Sequence, residues 1–248
     1  MIQLTTYKRL LKTIEEIESL FPLKYSEKIN LLFNQLQELL THFPTLPTDI
    51  ISRLQIIWSY RGYSMEKHFA IKKDYRNFDF YPKYKKLLAF DSYYLRKMIE
   101  GKKYHKVIFI GSGALPLSLK LIRLNIPKVG YDISEEALKL AQKTVPKDRF
   151  GRKIIYKKAD FFHFIIKEKR PVIVYIAGLI KNKKIGIKSL AKQLPKNSLI
   201  VIRTVANDKR GFLYEKIDKK PLYRIGQVKE FIPTKNSGII NGMIVLKI

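Results

Sequence analysis

The stretch Val107–Ser118 reads VIFIGSGALPLS: an apolar run, a turn through Gly111-Ser112-Gly113, then Leu115-Pro116. Four consecutive apolar residues that stop at glycines mark a short buried strand entering a tight turn. LPLSLKLIRLN (115–125) then has helical character, so the unit is strand, turn, helix. The same grammar repeats downstream. KVGYDI (128–133) is a second strand, followed by a helix in SEEALKLAQKTV with Ser134 as its N-cap. KIIYKKAD, PVIVYIAG and NSLIVIRTV supply further strands separated by helical stretches. This alternation predicts an α/β fold, a Rossmann-like parallel sheet with helices on both faces. IGQVKEFIP and GMIVLKI have no helix between them and predict a closing antiparallel hairpin.

Upstream the pattern is helical throughout, which divides the chain into an all-helical domain at 1–98 and the sheet domain at 99–248. In EKINLLFNQLQELLTHF, residues Ile29, Leu32, Phe33, Leu36, Leu39, Leu40 and Phe43 recur at three- and four-residue steps, one face of a helix. PTLPTDI breaks the chain, with Thr48 or Asp49 as the cap of the next helix. That helix runs through RLQIIWSYRGYSMEKHFA despite Gly62. After the loop DYRNFDFYP, Pro82 suits the first turn of a helix, KYKKLLAFDSYYLRKMI.

Composition sets the remaining bounds. The 248 residues can bury one large core or two modest ones. No apolar run is long enough to span a bilayer, and the first residues lack the apolar centre of a secretory signal, so a cytoplasmic protein is expected. With no cysteine there is no thiolate for zinc or an iron–sulfur cluster, and the four histidines lie far apart, so no metal site is expected. The formal charge of +28 divides into +6 over residues 1–98 and +22 over 99–248. Scattered clumps of lysine beside isoleucine fit AT-rich codons, a thermophile-like composition or a nucleic-acid partner, and basicity alone speaks only to non-specific attraction.

In a doubly wound sheet the ligand lies beyond the carboxyl ends of the strands. Gly111 and Gly113 allow positive φ and a close approach of backbone to ligand, with Ser112 between them. A dinucleotide site would need a third small residue at the start of the next helix for its pyrophosphate. Leu115 and Pro116 stand there instead, so a ligand without phosphates is favoured. Asp132 ends the second strand about twenty residues after the glycines, where a carboxylate accepts from ribose hydroxyls. Asp160 ends the third strand, placed for the exocyclic amine of adenine. Each acid alone reads equally as a turn or cap residue. In this order they resemble the class I fold that binds S-adenosylmethionine. The residue two places before the first glycine is Phe109 rather than an acid, and Ala177-Gly178-Leu179 replaces the polar motif of base-amine methyltransferases.

Longer segments point to one family. IGSGALPLS resembles the G-S-G-P-L-P-x-[ST] turn of nicotianamine synthases, with Ala114 in place of a proline. YIAGLI resembles their [VF]-[FL]-[LV]-A-A-L segment, and VIRTVANDKRGFLY their R-[ST]-x-x-G-x-R-G-F-L-Y block. IINGMIVLK is similar to V-[VI]-N-S-V-I-I, with Gly242 for serine, MEKHF to L-E-x-H-[YF], and FDFYPKY to F-P-Y-Y-x-N-Y. The matches run in order over roughly residues 60–247.

The resemblance implies transfer of an aminocarboxypropyl group. The α-amine of an acceptor amino acid attacks the γ-carbon of the methionyl arm of S-adenosylmethionine, and 5′-methylthioadenosine leaves. The acceptor is a small molecule such as glutamate or S-adenosylmethionine itself, and the product is a metal chelator; a homodimer is compatible with this. Because a sulfonium activates three carbons, position must select one. The amine must also lose a proton, for which the resemblance offers Glu66 as base and Tyr84 as a catalytic hydroxyl. It assigns Tyr81, His68, Arg210, Tyr214 and Asn241 to substrate. It adds Leu115, Pro116 and Ala177 to the glycines and acids that hold the donor. Arg203 reads as a site residue or a structural ion pair, and the basic charge as an attractor of acidic acceptors. The runner-up is an RNA methyltransferase with the same donor. A non-catalytic nucleic-acid binder would leave the glycines and acids unexplained.

Overall fold

The protein is described by a computed structural model covering residues 2–205, 217–234, 237, 239 and 241–248. It resolves into two compact units, Met1–His68 and Phe69–Ile248. The first holds α1 (Ile2–Ser19), α2 (Glu27–Leu40) and most of α3 (Thr48–Ile71). Ser26 caps α2 by accepting from Ile29 N at 3.3 Å, and the stripe read from the sequence is buried from Ile29 to Leu40, while Phe43 lies past the helix end and is half-buried. Its side chains join Leu10, Ile14 and Ile17 of α1 and Leu54, Ile57 and Met65 of α3 in a core. Arg53 forks onto Glu18 with contacts of 2.9 and 2.6 Å. Thr48 does not cap α3. It is already helical, and the carbonyl of Pro47 accepts from Ile51 N at 3.0 Å, so the start is set by backbone.

The second unit begins before the expected boundary at residue 98. The helix α4 (Tyr81–Ile99) belongs to it because Leu88 and Leu95 lie in the core of the sheet. Then follow β1 (Val107–Ile110), α5 (Leu117–Leu121), β2 (Lys128–Asp132), α6 (Glu135–Thr144), β3 (Ile154–Lys158), β4 (Ile173–Ile176), α7 (Lys183–Gln193), β5 (Leu199–Val205), α8 (Lys220–Tyr223), β6 (Gln227–Phe231) and β7 (Asn241–Lys247). The order across the sheet is β3-β2-β1-β4-β5-β7-β6. The first five strands are parallel, and β7 inserts antiparallel between β5 and β6, the hairpin anticipated from the tail.

Alternation along the strands builds two cores. Ile108, Ile110, Val174, Ile176, Ile200 and Ile202 face α7 through Ile187 and Leu190. Val107, Phe109, Ile173, Tyr175, Leu199 and Val201 face α4 and α5. Strands covered on both faces read as continuous apolar runs, which is why these were legible. The helix after the glycine turn is shorter than 115–125. It spans five residues, since Pro116 occupies its N-cap position and Ile122 turns extended. Among the described residues no helix is long and apolar enough to cross a membrane.

Candidate active site

The carboxyl ends of β1 to β4 gather the residues expected to hold a nucleoside. Gly111 and Gly113 have φ of +77° and +68°, the left-handed region that glycine enters without steric penalty. A Cβ on Gly111 would stand 3.0 Å from Ala177 Cβ and 3.0 Å from Ile180 Cδ1. The turn is therefore pressed against the loop after β4, where Ala177 N donates to Ile110 O at 3.1 Å.

The turn's own N–H groups are occupied. Gly111 N and Ser112 N donate to Tyr131 O at 2.8 and 2.9 Å, and Gly113 N donates to Asp132 Oδ2 at 2.8 Å. Leu115 and Pro116 are buried, and Leu117 N closes onto Leu115 O at 2.7 Å. A phosphate cradle needs free N–H groups at the start of a helix with a substantial dipole. This turn offers few, ahead of a five-residue helix.

Asp132 is the best-placed polar group. Besides Gly113 N, it accepts Ser134 N on Oδ1 at 2.9 Å, which fixes the carboxylate plane. Each oxygen keeps a second lone pair for a hydroxyl donor. Asp160 is half-exposed and uses its carboxylate as a cap, accepting Phe162 N at 3.0 Å and the His163 Nδ1 proton at 2.8 Å. The Phe162 N–H first, and His163 second, hold its carboxyl below the ordinary range. The cap use read from the sequence is present, with room for a further donor on the same oxygens.

Tyr81 and Tyr84 occupy the first turn of α4 and are both half-buried. The Tyr84 ring lies 6.2 Å from Phe78 and the Tyr81 ring 5.9 Å from Tyr75. Seven residues on, fully buried Asp91 meets Arg203 of β5 at 2.7 Å. The Arg203 guanidinium carbon lies 5.8 Å from the centre of the Tyr175 ring, which is itself buried. Burial pushes the Asp91 carboxyl up, with Arg203 and Tyr175 opposing. Arg203 is thus the structural ion pair. Both partners stand on apolar faces, Asp91 in register with Leu88 and Leu95 and Arg203 with Val201, and a charge so placed needs a buried counter-charge. After Asp91, α4 returns to the start of β1 through seven residues, so it runs antiparallel to the strands. Its first turn consequently projects past their carboxyl ends, some 10 Å beyond Asp91 at 1.5 Å per residue.

Asn241 opens β7 opposite Val205, which places it at the carboxyl end of β5; its buried Oδ1 has no hydrogen-bond partner among the described residues. Glu66 and His68 belong to the first unit, both half-buried, with the His68 ring 4.4 Å from Tyr25. Arg210 and Tyr214 lie outside the described residues. Sequence reasoning missed Lys183. It is fully buried and donates to Gly178 O at 2.8 Å and to Ile180 O, clamping the loop after β4. The basic charge does not gather here: the described loops at this end (111–116, 133–134, 159–163 and 177–182) hold Lys181 alone among lysines and arginines.

The nicotianamine synthase protein family model matches residues 3–248. The chain belongs to the nicotianamine synthase family. It is 27% identical to nicotianamine synthase 3 of Arabidopsis thaliana over 94% of this chain and 80% of that protein. With nicotianamine synthase 9 of Hordeum vulgare the identity is also 27%, over 68% of this chain and about half, 52%, of the relative. Among solved structures, a Glu→Gln mutant of MtNAS in complex with S-adenosylmethionine superposes with a TM-score of 0.71 at 15% identity, over 97% of each chain. MtNAS in complex with MTA and tNA gives 0.70 at 14%, over 98% of each. At such identities the likeness establishes the shared Rossmann-like fold.

Proposed function

We propose that this enzyme transfers the 3-amino-3-carboxypropyl group of S-adenosylmethionine to the α-amine of an amino acid, glutamate or a second S-adenosylmethionine. The bond formed is N–Cγ and the bond broken is Cγ–S; 5′-methylthioadenosine leaves with the electron pair of the sulfur bond. The observation that carries the reading is the family match over nearly the whole chain. The geometry supports it in two ways. The glycine turn has used its N–H groups internally, which suits a nucleoside without phosphates. Asp132 is fixed in its plane with a lone pair free on each oxygen, which suits two ribose hydroxyls.

Glu66 is the proposed proton acceptor, on the strength of the match between MEKHF and L-E-x-H-[YF]. Tyr84, Tyr81 and Asn241 are proposed on the acceptor side, with His68 orienting Glu66 and Arg210 and Tyr214 receiving carboxylates. Repeated transfer would give a product with several amines and carboxylates, a donor set that chelates divalent metals, made in the cytoplasm. Incubation with S-adenosylmethionine, with and without glutamate, tests the reading. Release of methylthioadenosine is expected; release of S-adenosylhomocysteine alone would overturn it in favour of methyl transfer.

A further inference from the structure

Among the described residues, the two ends of the sheet differ sharply in charge. The segments leading into β1 to β5 (100–106, 122–127, 145–153, 164–172 and 194–198) carry twelve lysines and arginines against three acids. The described loops at the opposite end carry one lysine and one acid. Two of the three acids are already committed: Asp148 pairs with buried Lys128, and Glu168 takes Lys106 at 2.8 Å. Most of the cations are exposed, including Lys103, Arg149, Arg152, Lys169 and Lys196. A genome-wide lysine bias, or adaptation to heat, has no means of telling one end of a sheet from the other. Nor does the transfer reaction explain it, since ligands of such sheets bind at the carboxyl ends.

We infer that the amino-terminal end of the sheet is a docking surface for nucleic acid, bound through its phosphates without base readout. A row of exposed cations on several adjacent loops matches a repeating backbone charge. Phe150, exposed with the Arg149 guanidinium 5.7 Å from its ring centre, adds a face on which a base can stack. A cavity of about 290 Å³, lined by Lys102, Lys103, Tyr104, Pro171 and Asn197, opens at the same end and is large enough to seat a nucleotide phosphate between two ammonium groups. An anionic membrane is the poorer match. The only exposed large apolar side chains in these segments are Phe150 and Ile165, on different loops, too few for an interfacial anchor.

The test is fluorescence anisotropy of a labelled 20-nucleotide uridine homopolymer with the full chain between 50 and 200 mM salt. Contact with about six phosphates gives a slope of about −4 in log affinity against log salt for a single strand. The variant K103E/R149E/R152E/K169E is expected to lose at least about tenfold in affinity and to flatten the slope, while methylthioadenosine release is unchanged. K8E/K12E/K24E/K28E, with the same change in net charge but on the first unit, is expected to bind almost as the wild type does. Equal losses in both variants would reduce the effect to net charge and overturn the inference. So would absence of wild-type binding at 50 mM salt, or binding to phosphatidylserine vesicles under conditions where the homopolymer does not bind.

Discussion

Replacing Arg203 by methionine removes the cation facing Asp91 while keeping most of the side-chain volume. Asp91 is 0% exposed, so its carboxylate has no water to turn to. The folded state must then carry it protonated. At pH 7, protonating a carboxyl whose unfolded pKa is about 3.9 costs about 1.4 kcal/mol per unit over about three units, or about 4 kcal/mol. This agrees with the ~3–5 kcal/mol typical of breaking a buried pair on one side. The sign of the pH dependence follows. Burial raises the folded pKa of Asp91, the folded state binds more protons than the unfolded one, and stability falls as pH rises above the unfolded value. R203M should therefore be destabilised far less at pH 5 than at pH 7, by roughly 3 kcal/mol. Urea unfolding of wild type, R203M and D91L/R203M at pH 5, 6 and 7 measures this. The double variant leaves no charge buried and should fall no more than about 1 kcal/mol below wild type at every pH, since such replacements are often neutral or stabilising. Equal destabilisation of R203M at pH 5 and pH 7, or a double variant as unstable as the single, would refute the reasoning.

Other outcomes follow from the site. Gly111→Ala places a Cβ 3.0 Å from Ala177 and Ile180 at a φ of +77°, a conformation costing about 1–2 kcal/mol. Circular dichroism should show the fold kept, while calorimetric affinity for S-adenosylmethionine falls about five- to thirtyfold, the equivalent of that cost; unchanged affinity would remove the turn from the site. Gly186→Ala on α7 drives a methyl to 2.2 Å from the Phe161 ring, so about 1–3 kcal/mol of stability is lost and Phe161, next to Asp160, must shift; an unaltered melting temperature would show the contact to be slack. Glu66→Gln should abolish methylthioadenosine release with donor binding intact, and full turnover would end its assignment as base.

What could be read from the sequence followed from burial. Strands such as VIVYI, apolar on both faces, and the α2 stripe, apolar on one, state their environments directly. So do Gly111 and Gly113, because a left-handed turn restricts what can stand there. The misreadings arose where a long-range partner decides. α4 looks like its helical neighbours, and only its contacts through Leu88 and Leu95 assign it to the sheet. Lys183 carries no local sign of burial, since in sequence it is one lysine of KNKK. Arg203 did carry a sign, a charge in the apolar strand LIVIRTV, but the identity of its partner required the fold. The whole-chain placement of Glu66 came from the resemblance alone, as no spacing in α3 distinguishes it from a solvated helix glutamate.

The distribution of charge also bears on the donor. S-adenosylmethionine carries a sulfonium, and a site dense in lysine would repel it. Attraction of acidic acceptors by a basic cleft, expected from composition, would thus have worked against the other substrate. The described strand ends avoid the conflict: the turn and the loop after β4 present backbone, glycine and aliphatic groups, with the Asp132 carboxylate fixed by Gly113 N and Ser134 N where the ribose is proposed. The buried Lys183 beside them spends its protons on the carbonyls of Gly178 and Ile180. Selectivity for carboxylates then has to come from directed hydroxyl and guanidinium contacts instead of a broad field. Raising ionic strength should accordingly leave acceptor KM nearly constant while it weakens any homopolymer bound at the opposite end. A KM that climbs steeply with salt would mean that field, not geometry, recruits the acceptor.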